Sequence, residues 1–363
     1  MRVSFRADAS IRIGTGHVMR CLTLADELTR QGHHCWFICR EHLGHLGDVI
    51  ISKGYSLTLL PAPTDTPPQQ KNNTSDVYEH WLGASWQEDA NQTLDAILPM
   101  KPDWLVVDNY ALDAKWERAL SNAAQKIMVI DDLANRPHEC RLLLDQNLGR
   151  FASDYDGLLP TECQRLIGPC FALLRPEFAA LREKSLLRRE NPKIKRILIS
   201  LGGIDRTNVT GKVLAALAQS SLPAGIELDI IMGAAAPYLD EVRWEAAQSP
   251  FKAMVSVNVQ EMAARMFLAD LSIGAAGGTS WERSCLGLPS MLIVLAENQV
   301  TGAKALEMVG AARVIEEPSL VEPMLPSILE ELSNPTRLIC MSKAAAGITD
   351  GHGALSVVRT MER

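Results

Sequence analysis

The chain has 363 residues, of which 47% are hydrophobic and 22% charged, with a formal net charge of -7. That length suits two domains, each with its own core. Nothing in this acidic balance suggests a nucleic-acid footprint, which calls for a clustered basic surface, and any anionic ligand must be held by local groups rather than by the overall field. No charged start followed by a long apolar run marks an export signal. No apolar stretch reaches the roughly 18 residues of a spanning helix. The expectation is a cytoplasmic protein with no nucleic-acid or membrane partner. Its eight cysteines, at 21, 35, 39, 140, 163, 170, 285 and 340, form no C-x-x-C pair and read as reduced, mostly buried thiols.

In chain order, β-branched and apolar runs at 3–7, 35–38, 56–60, 104–107 and 127–130 predict strands. Helical patterns fall between them, at 18–31 and 114–124 among others. This alternation predicts a parallel sheet with helices on both faces. Residues 61–75, PAPTDTPPQQKNNTS, are polar and proline-rich without periodicity. They read as a mobile surface loop, with a lid role left open. Residues 143–149, 151–159 and 165–175 read as short strands and loops, and Pro176 opens a polar helix ending near Asn191. A second alternation then begins, with strands expected at 194–200, 227–232, 253–257, 271–275 and 291–295. The fold class is therefore α/β, with two Rossmann-like, doubly wound domains. The boundary falls within 176–193 and is set at 1–185 and 186–363.

The first strand leads into RIGTGHVMRC, residues 12–21. Gly14 and Gly16 permit a tight turn and close approach of a ligand. A helix follows at once, so its free N–H groups and positive dipole end face the same space. Met19 stands where a dinucleotide fingerprint needs its third glycine, so that motif is a poor match. His17 lies at a strand carboxyl end, where open α/β sheets bind ligands. Arg20 and the preceding RADAS favour a functional histidine over a merely satisfied polar group. Asp8, ending the same strand, is the expected orienting partner that fixes the tautomer of His17. His42 and His45 read as two solvent-facing residues three apart on a helix, without a third ligand, so no metal site is expected.

The second half opens with LGGIDRTNVTGK. Gly202 and Gly203 precede a helix expected from about Arg206, whose amides could cradle a phosphate, or serve only as a packing turn. The block 273–299, IGAAGGTSWERSCLGLPSMLIVLAENQ, is denser. Gly278, Thr279 and Ser280 fall at a helix start, where hydroxyl and amide donors suit a diphosphate. Glu282 in the first turn could take both hydroxyls of a ribose, or act as a cap. Asn298 and Gln299 open a further helix and could bond sugar or diphosphate. Arg175, beside the boundary, could reach a phosphate or form an interdomain ion pair. Tyr110, at a strand end, could hold a water or an acetamido group, or be structural.

Taken together, several motifs resemble the UDP-sugar hydrolase family of pseudaminic acid biosynthesis. They are R-x-D-A-S-x-x-I-G-x-G-H-x-x-R at 6–20, D-N-Y-x-L-D at 108–113, D-D-L-A-N-R at 131–136 and D-Q-N at 145–147. To these add G-x-x-F-A-L-L-R-P-E-F at 168–178, L-G-G-x-D at 201–205, A-x-G-x-T-x-W-E-x-x-x-L-x-x-P at 275–289, A-x-N-Q at 296–299 and D-G-x-G-A at 350–354. The resemblance covers nearly the whole chain. It implies the GT-B fold, two domains facing across a cleft, similar to MurG-type enzymes in the nucleotide-binding half.

It also implies hydrolysis of a UDP-linked 2,4-diacetamido-2,4,6-trideoxy-β-L-altrose at C1 with inversion, giving UDP and the free sugar. His17 is then the base, assisted by Asp8 and Tyr110, with no metal and no cofactor; a monomer is expected over an oligomer. The alternatives are a GT-B glycosyltransferase with a UDP-sugar donor, a hydrolase of a related nucleotide sugar, and a non-catalytic nucleotide-sugar-binding protein. The chain is longer than that family suggests, and 61–75 is the place for added residues.

Overall fold

The computed structural model describes residues 1–63, 78–223 and 225–363. The proline-rich stretch at 61–75, apart from its first three residues, lies outside them. The chain divides into two compact units, Met1–Leu173 with Gly353–Arg363, and Leu174–His352.

The first unit holds strands β1 (Arg2–Ala7), β2 (His34–Arg40), β3 (Ser56–Leu60), β4 (Trp104–Asp108), β5 (Lys126–Ile130), β6 (Leu142–Asp145) and β7 (Gln164–Ile167). They pair in the order β3-β2-β1-β4-β5-β6-β7, every pair parallel. Its helices are α1 (Gly16–Arg30), α2 (Gly47–Ser52), α3 (Glu79–Leu82), α4 (Trp86–Ile97) and α5 (Ala114–Leu120). A parallel sheet covered on both faces reads as near-continuous apolar sequence, and β4 does: Trp104 and Val106 enter one core with Phe5 and Leu24, while Leu105 and Val107 enter the other with Trp116 and Tyr155. The stretch 151–159, expected as strand or loop, contains a short 3-10 turn at Ala152–Tyr155 that buries Tyr155.

The second unit starts with α6 (Pro176–Arg188) and a six-stranded parallel sheet. Its strands are β8 (Arg196–Ser200), β9 (Glu227–Met232), β10 (Lys252–Val257), β11 (Leu271–Ala275), β12 (Ser290–Ile293) and β13 (Ala312–Ile315), ordered β10-β9-β8-β11-β12-β13. The helices between are α7 (Val209–Ala218), α8 (Leu239–Gln248), α9 (Met262–Leu268), α10 (Thr279–Cys285), α11 (Val300–Met308), α12 (Val321–Leu332) and α13 (Pro335–Ala346); α14 (Gly353–Met361) closes the chain. Among the described residues no helix is long and apolar enough to cross a membrane.

The division lies ahead of the expected 185/186 boundary because α6 is tied into the second unit through orphan carbonyls. Arg182 donates to the carbonyls of Cys285, Ala346 and Thr349, and Arg189 to those of Met266, Ala269 and Leu286. Capping helix C-termini with arginine satisfies groups that the helices cannot pair themselves. The last helix departs further from expectation, because it belongs to the first unit. Ala354, Val357, Val358 and Met361 are spaced to form one apolar face, and they join the core around α1. The Trp104 indole N–H donates to the Met361 carbonyl at 3.1 Å.

In both sheets the strand order reverses beside the first strand, between β1 and β4 and between β8 and β11. Such switch points leave a crevice at the strand carboxyl ends where ligands bind in open α/β sheets. Of the residues singled out from the sequence, Asp8, Gly14, Gly16, His17, Arg20 and Tyr110 follow β1 or β4, and Gly202, Gly203, Gly278, Thr279, Ser280 and Glu282 follow β8 or β11, whereas Asn298 and Gln299 follow β12 and Arg175 precedes α6.

Candidate functional site

In the first unit the turn from β1 to α1 is shaped by Ser10 and Gly14. Their backbones bond each other, and the Ser10 hydroxyl accepts from the amides of Arg12 and Ile13 at 3.1 and 2.9 Å. Gly14 sits at φ +84°, a left-handed conformation that glycine adopts without steric cost. The turn delivers Gly16 and His17 as the first residues of α1.

His17 is 8% exposed, and its Nδ1 lies 2.6 Å from Oδ1 of Asp108, the last residue of β4. Arg20, one turn along α1, grips the same carboxylate with Nε on Oδ2 and Nη2 on Oδ1, both at 2.6 Å. Its Nη1 reaches Asp132 at 2.7 Å. Bidentate arginine–carboxylate pairing fixes orientation as well as charge. Burial alone would push the Asp108 carboxyl up, but Arg20 and His17 outweigh it and hold the group well below the ordinary carboxylate range. A permanently ionised Asp108 on Nδ1 keeps the proton on that nitrogen and leaves Nε2 to accept one.

Asp8 is therefore not the partner of His17, against the expectation. It is spent in a buried network, 2.7 Å from Arg6 Nη1, accepting from the Arg40 amide at 2.7 Å and from the Asn109 side-chain amide at 2.9 Å. Arg6 and Arg40 in turn meet at Asp89, which also accepts from the Trp116 indole. This cluster neutralises two fully buried guanidinium groups, a structural task. His42 joins its edge, with Nε2 4.0 Å from Asp8 Oδ2. It lies in the loop after β2, buried at 7% exposure. The expected helix carrying two solvent-facing histidines is absent there, because the chain turns at Leu43-Gly44.

Tyr110 sits with its ring edge-on to His17, centroids 4.6 Å apart, and donates its hydroxyl to Asp132 at 2.5 Å. Burial, then Asp132, push its phenol well above the ordinary value. Asp132 also accepts from the Asn147 side chain at 2.9 Å. Trp81 in α3 and Tyr78 at its N-cap complete an aromatic group with Tyr110. Asp108, Asp132 and Trp81 were not singled out as site residues from the sequence. The signal for the first two was present: apolar strands 104–107 and 127–130 each run into aspartate, at the ends where a parallel sheet collects its polar groups.

In the second unit Gly202 occupies φ +94° after β8, and the Gly203 carbonyl accepts from the Gly233 amide at 3.0 Å. Helix α7 begins at Val209, later than expected, and its first amides are already taken. Asp205 accepts from Val209 and Thr210 at 2.9 and 2.8 Å, and Asn208 from Gly211 at 3.0 Å. The expected phosphate cradle on those amides is thus filled by the chain's own caps, which leaves the glycine turn itself.

After β11, Gly278 and Thr279 are exposed at the start of α10. Ser280 is buried, and its hydroxyl accepts from Arg283 at 3.0 Å. Glu282 is 16% exposed at its side chain and lies 3.7 Å from Arg175. Arg175 also pairs with Glu177 at 3.2 Å and donates to the Gln260 carbonyl, so the partners the sequence left open lie within its own unit. Asn298 is exposed, whereas the Gln299 side chain accepts from the Leu295 amide at 3.0 Å.

Burial pushes the Glu282 carboxyl up to about 7, against the opposing pull of Arg175 and Arg283. A free glutamate titrates near about 4.3. The raised value means that the stability of the neutral form is fully present below about 4.3 and is lost as pH rises through about 7. Glu282→Gln removes that dependence. Thermal unfolding across pH should give equal midpoints for variant and wild type in acid and a higher midpoint for the variant above neutrality. A wild type that gains stability over the variant in that interval contradicts the buried, neutral carboxyl.

Residues 214–355 match the glycosyltransferase family 28 C-terminal domain. Over 223 residues, 61% of this chain and 68% of the relative, the sequence is 27% identical to the UDP-2,4-diacetamido-2,4,6-trideoxy-β-L-altropyranose hydrolase of Campylobacter jejuni. It is 29% identical over 170 residues to the spore coat polysaccharide biosynthesis protein SpsG of Bacillus subtilis, covering 46% of this chain and 50% of that protein. Among solved structures it is similar to MurG of Acinetobacter baumannii, with a TM-score of 0.69 at 16% identity over 99% of both chains. It is also similar to the spinosyn rhamnosyltransferase SpnG complexed with thymidine diphosphate, with a TM-score of 0.58 at 19% identity over the full length of both. Two all-parallel, doubly wound units with these full-length likenesses give the chain the GT-B fold.

Proposed function

We propose that the protein is an enzyme of nucleotide-sugar chemistry, and specifically a UDP-sugar hydrolase. Its substrate on this reading is UDP-2,4-diacetamido-2,4,6-trideoxy-β-L-altrose, cleaved at C1 with inversion. The observation that carries the reading is the imidazole of His17 held by the buried carboxylate of Asp108 at a strand switch point. That is the arrangement of a base with a fixed tautomer. The relative from Campylobacter jejuni, named for this hydrolysis, supports the substrate.

In the proposed step His17 Nε2 takes a proton from water as the oxygen bonds to the anomeric carbon. The bond from C1 to the diphosphate oxygen breaks on the opposite side, and its electron pair leaves with UDP. Ordinary glycosidases need a general acid because an alkoxide leaves poorly. A diphosphate leaves well once its charge is stabilised, so backbone amides and hydroxyls suffice. The reading gives the diphosphate to Gly202, Gly203, Gly278, Thr279 and Ser280, the ribose to Glu282, and supporting contacts to Arg175, Asn298 and Gln299. It involves no metal, no cofactor and a single copy of the chain.

The rival is a glycosyltransferase with the same donor, which the family 28 match over 214–355 also supports. Incubation with the nucleotide sugar alone separates the two. The hydrolase releases UDP without an acceptor, and in ¹⁸O-water NMR finds the label on C1 of the free sugar with the anomeric configuration inverted. UDP release only when an acceptor is added, or label on the phosphate, overturns hydrolysis at C1.

A further inference from the structure

Around His17 the polar side chains are paired with one another, and aromatic rings lie beside them. Arg20 is consumed by Asp108 and Asp132, and the Tyr110 hydroxyl by Asp132. What Tyr110 brings to the histidine is its ring. Against that ring lie two more. Trp81 stacks on Tyr110 with centroids 5.7 Å apart and planes at 25°, and Tyr78 stands edge-on to Tyr110 at 5.2 Å and to Trp81 at 4.7 Å. Trp81 is also edge-on to His17 at 6.2 Å. Both Tyr78 and Trp81 are half-buried.

The wall is firmly built. Tyr78 and Trp81 are three residues apart across the start of α3, which places them on one face. The next residue, Leu82, is 1% exposed in the core with Ile38 and Trp116 and anchors the short helix. Gly83 then ends α3 at φ +71°, where an added Cβ would lie 2.9 Å from both His42 and Pro63. His42 and Pro63 thus pack close against Gly83, directly after the aromatic segment.

We infer that Trp81 and Tyr78 form the specificity wall for the sugar, selecting one that presents methyl and C–H surface, that is, a deoxygenated and N-acetylated sugar over a fully hydroxylated one. The inference rests on the reading of His17 as the base at the anomeric carbon. Small-molecule sites combine aromatic walls with few polar groups. A hydroxyl facing this wall would lose water without gaining a partner, whereas a C6 methyl or an acetamido methyl gains apolar contact.

The test is calorimetric, in the His17→Leu background so that the nucleotide sugar persists. The probes are UDP, UDP-glucose and UDP-2,4-diacetamido-2,4,6-trideoxy-β-L-altrose. Trp81→Ala should weaken the diacetamido nucleotide sugar about ten-fold, leave UDP unchanged and affect UDP-glucose little, and Trp81→Phe should restore most of the loss. Thermal unfolding of each variant reports whether α3 stays folded. Equal weakening of all three probes, no weakening, or a sugar that adds no affinity beyond UDP overturns the wall. The expected binding pattern, combined with absence of UDP release by the wild type, overturns the hydrolase reading and leaves the wall standing.

Discussion

His17→Leu is expected to lower turnover of the nucleotide sugar by about 10²–10⁴-fold, the usual contribution of a positioned base, while UDP inhibition stays within a few-fold of wild type. The split follows from geometry. The imidazole sits in the first unit, on the carboxylate that ends β4, whereas the proposed nucleotide ligands are all in the second. Leucine fills the volume without a proton acceptor, so binding and chemistry separate. Steady-state kinetics with a coupled UDP assay reads both quantities. A His17→Leu protein with wild-type kcat removes the base assignment.

Asp108 carries the second large effect, and it acts twice. As the partner of Nδ1 it fixes which nitrogen of His17 accepts the proton. Asp108→Asn presents an amide that can orient the ring in the wrong tautomer, with an expected loss on the order of 10³–10⁴ in kcat. As the bidentate acceptor of Arg20 it neutralises a guanidinium whose side chain is only 12% exposed. Asp108→Ala leaves that charge with Asp132 alone and should cost about 3–5 kcal/mol of stability. The pH dependence distinguishes this from lost packing. Because the folded carboxyl titrates well below its ordinary value, its contribution is fully present above the unfolded pKa of about 3.9 and is lost as pH falls from there through the lower folded value. Unfolding midpoints of wild type and Asp108→Ala should therefore converge in acid. A gap that persists there assigns the effect to packing instead of charge.

Much of the architecture was readable from local pattern because parallel strands buried on both faces cannot hide. The runs at 104–107 and 127–130 have no polar face to interrupt them, and both became central strands. The glycine turns before α1 and after β8 were readable for a related reason: Gly14 and Gly202 occupy backbone angles that few other residues tolerate. The domain division was harder. Helix α6 looks like a polar connector along the sequence, and only its arginines, ending on carbonyls of Met266, Ala269 and Ala346, reveal which unit owns it. Helix α14 has an ordinary amphipathic pattern, and pattern says which face is apolar without saying what covers it.

Charge pairing was the least readable layer. Asp8 and Asp108 are both aspartates at strand ends close to His17, one near in sequence and one 91 positions away. Proximity along the chain favoured the first. The fold turned it toward the buried guanidinium of Arg6 and the backbone amide of Arg40, and gave the histidine to the distant one. Similarly, Asp205 and Asn208 took the amides of α7 that a phosphate could have used. The sequence by itself determined most of the strands, though not β13, together with the glycine turns and the position of His17 at a strand end, because backbone preference and apolar periodicity act over a few residues. Which carboxylate orients that histidine, which rings wall it and which unit receives the last helix were decided only by the tertiary structure, because ion pairs and ring contacts join residues that burial brings together from far apart in the chain.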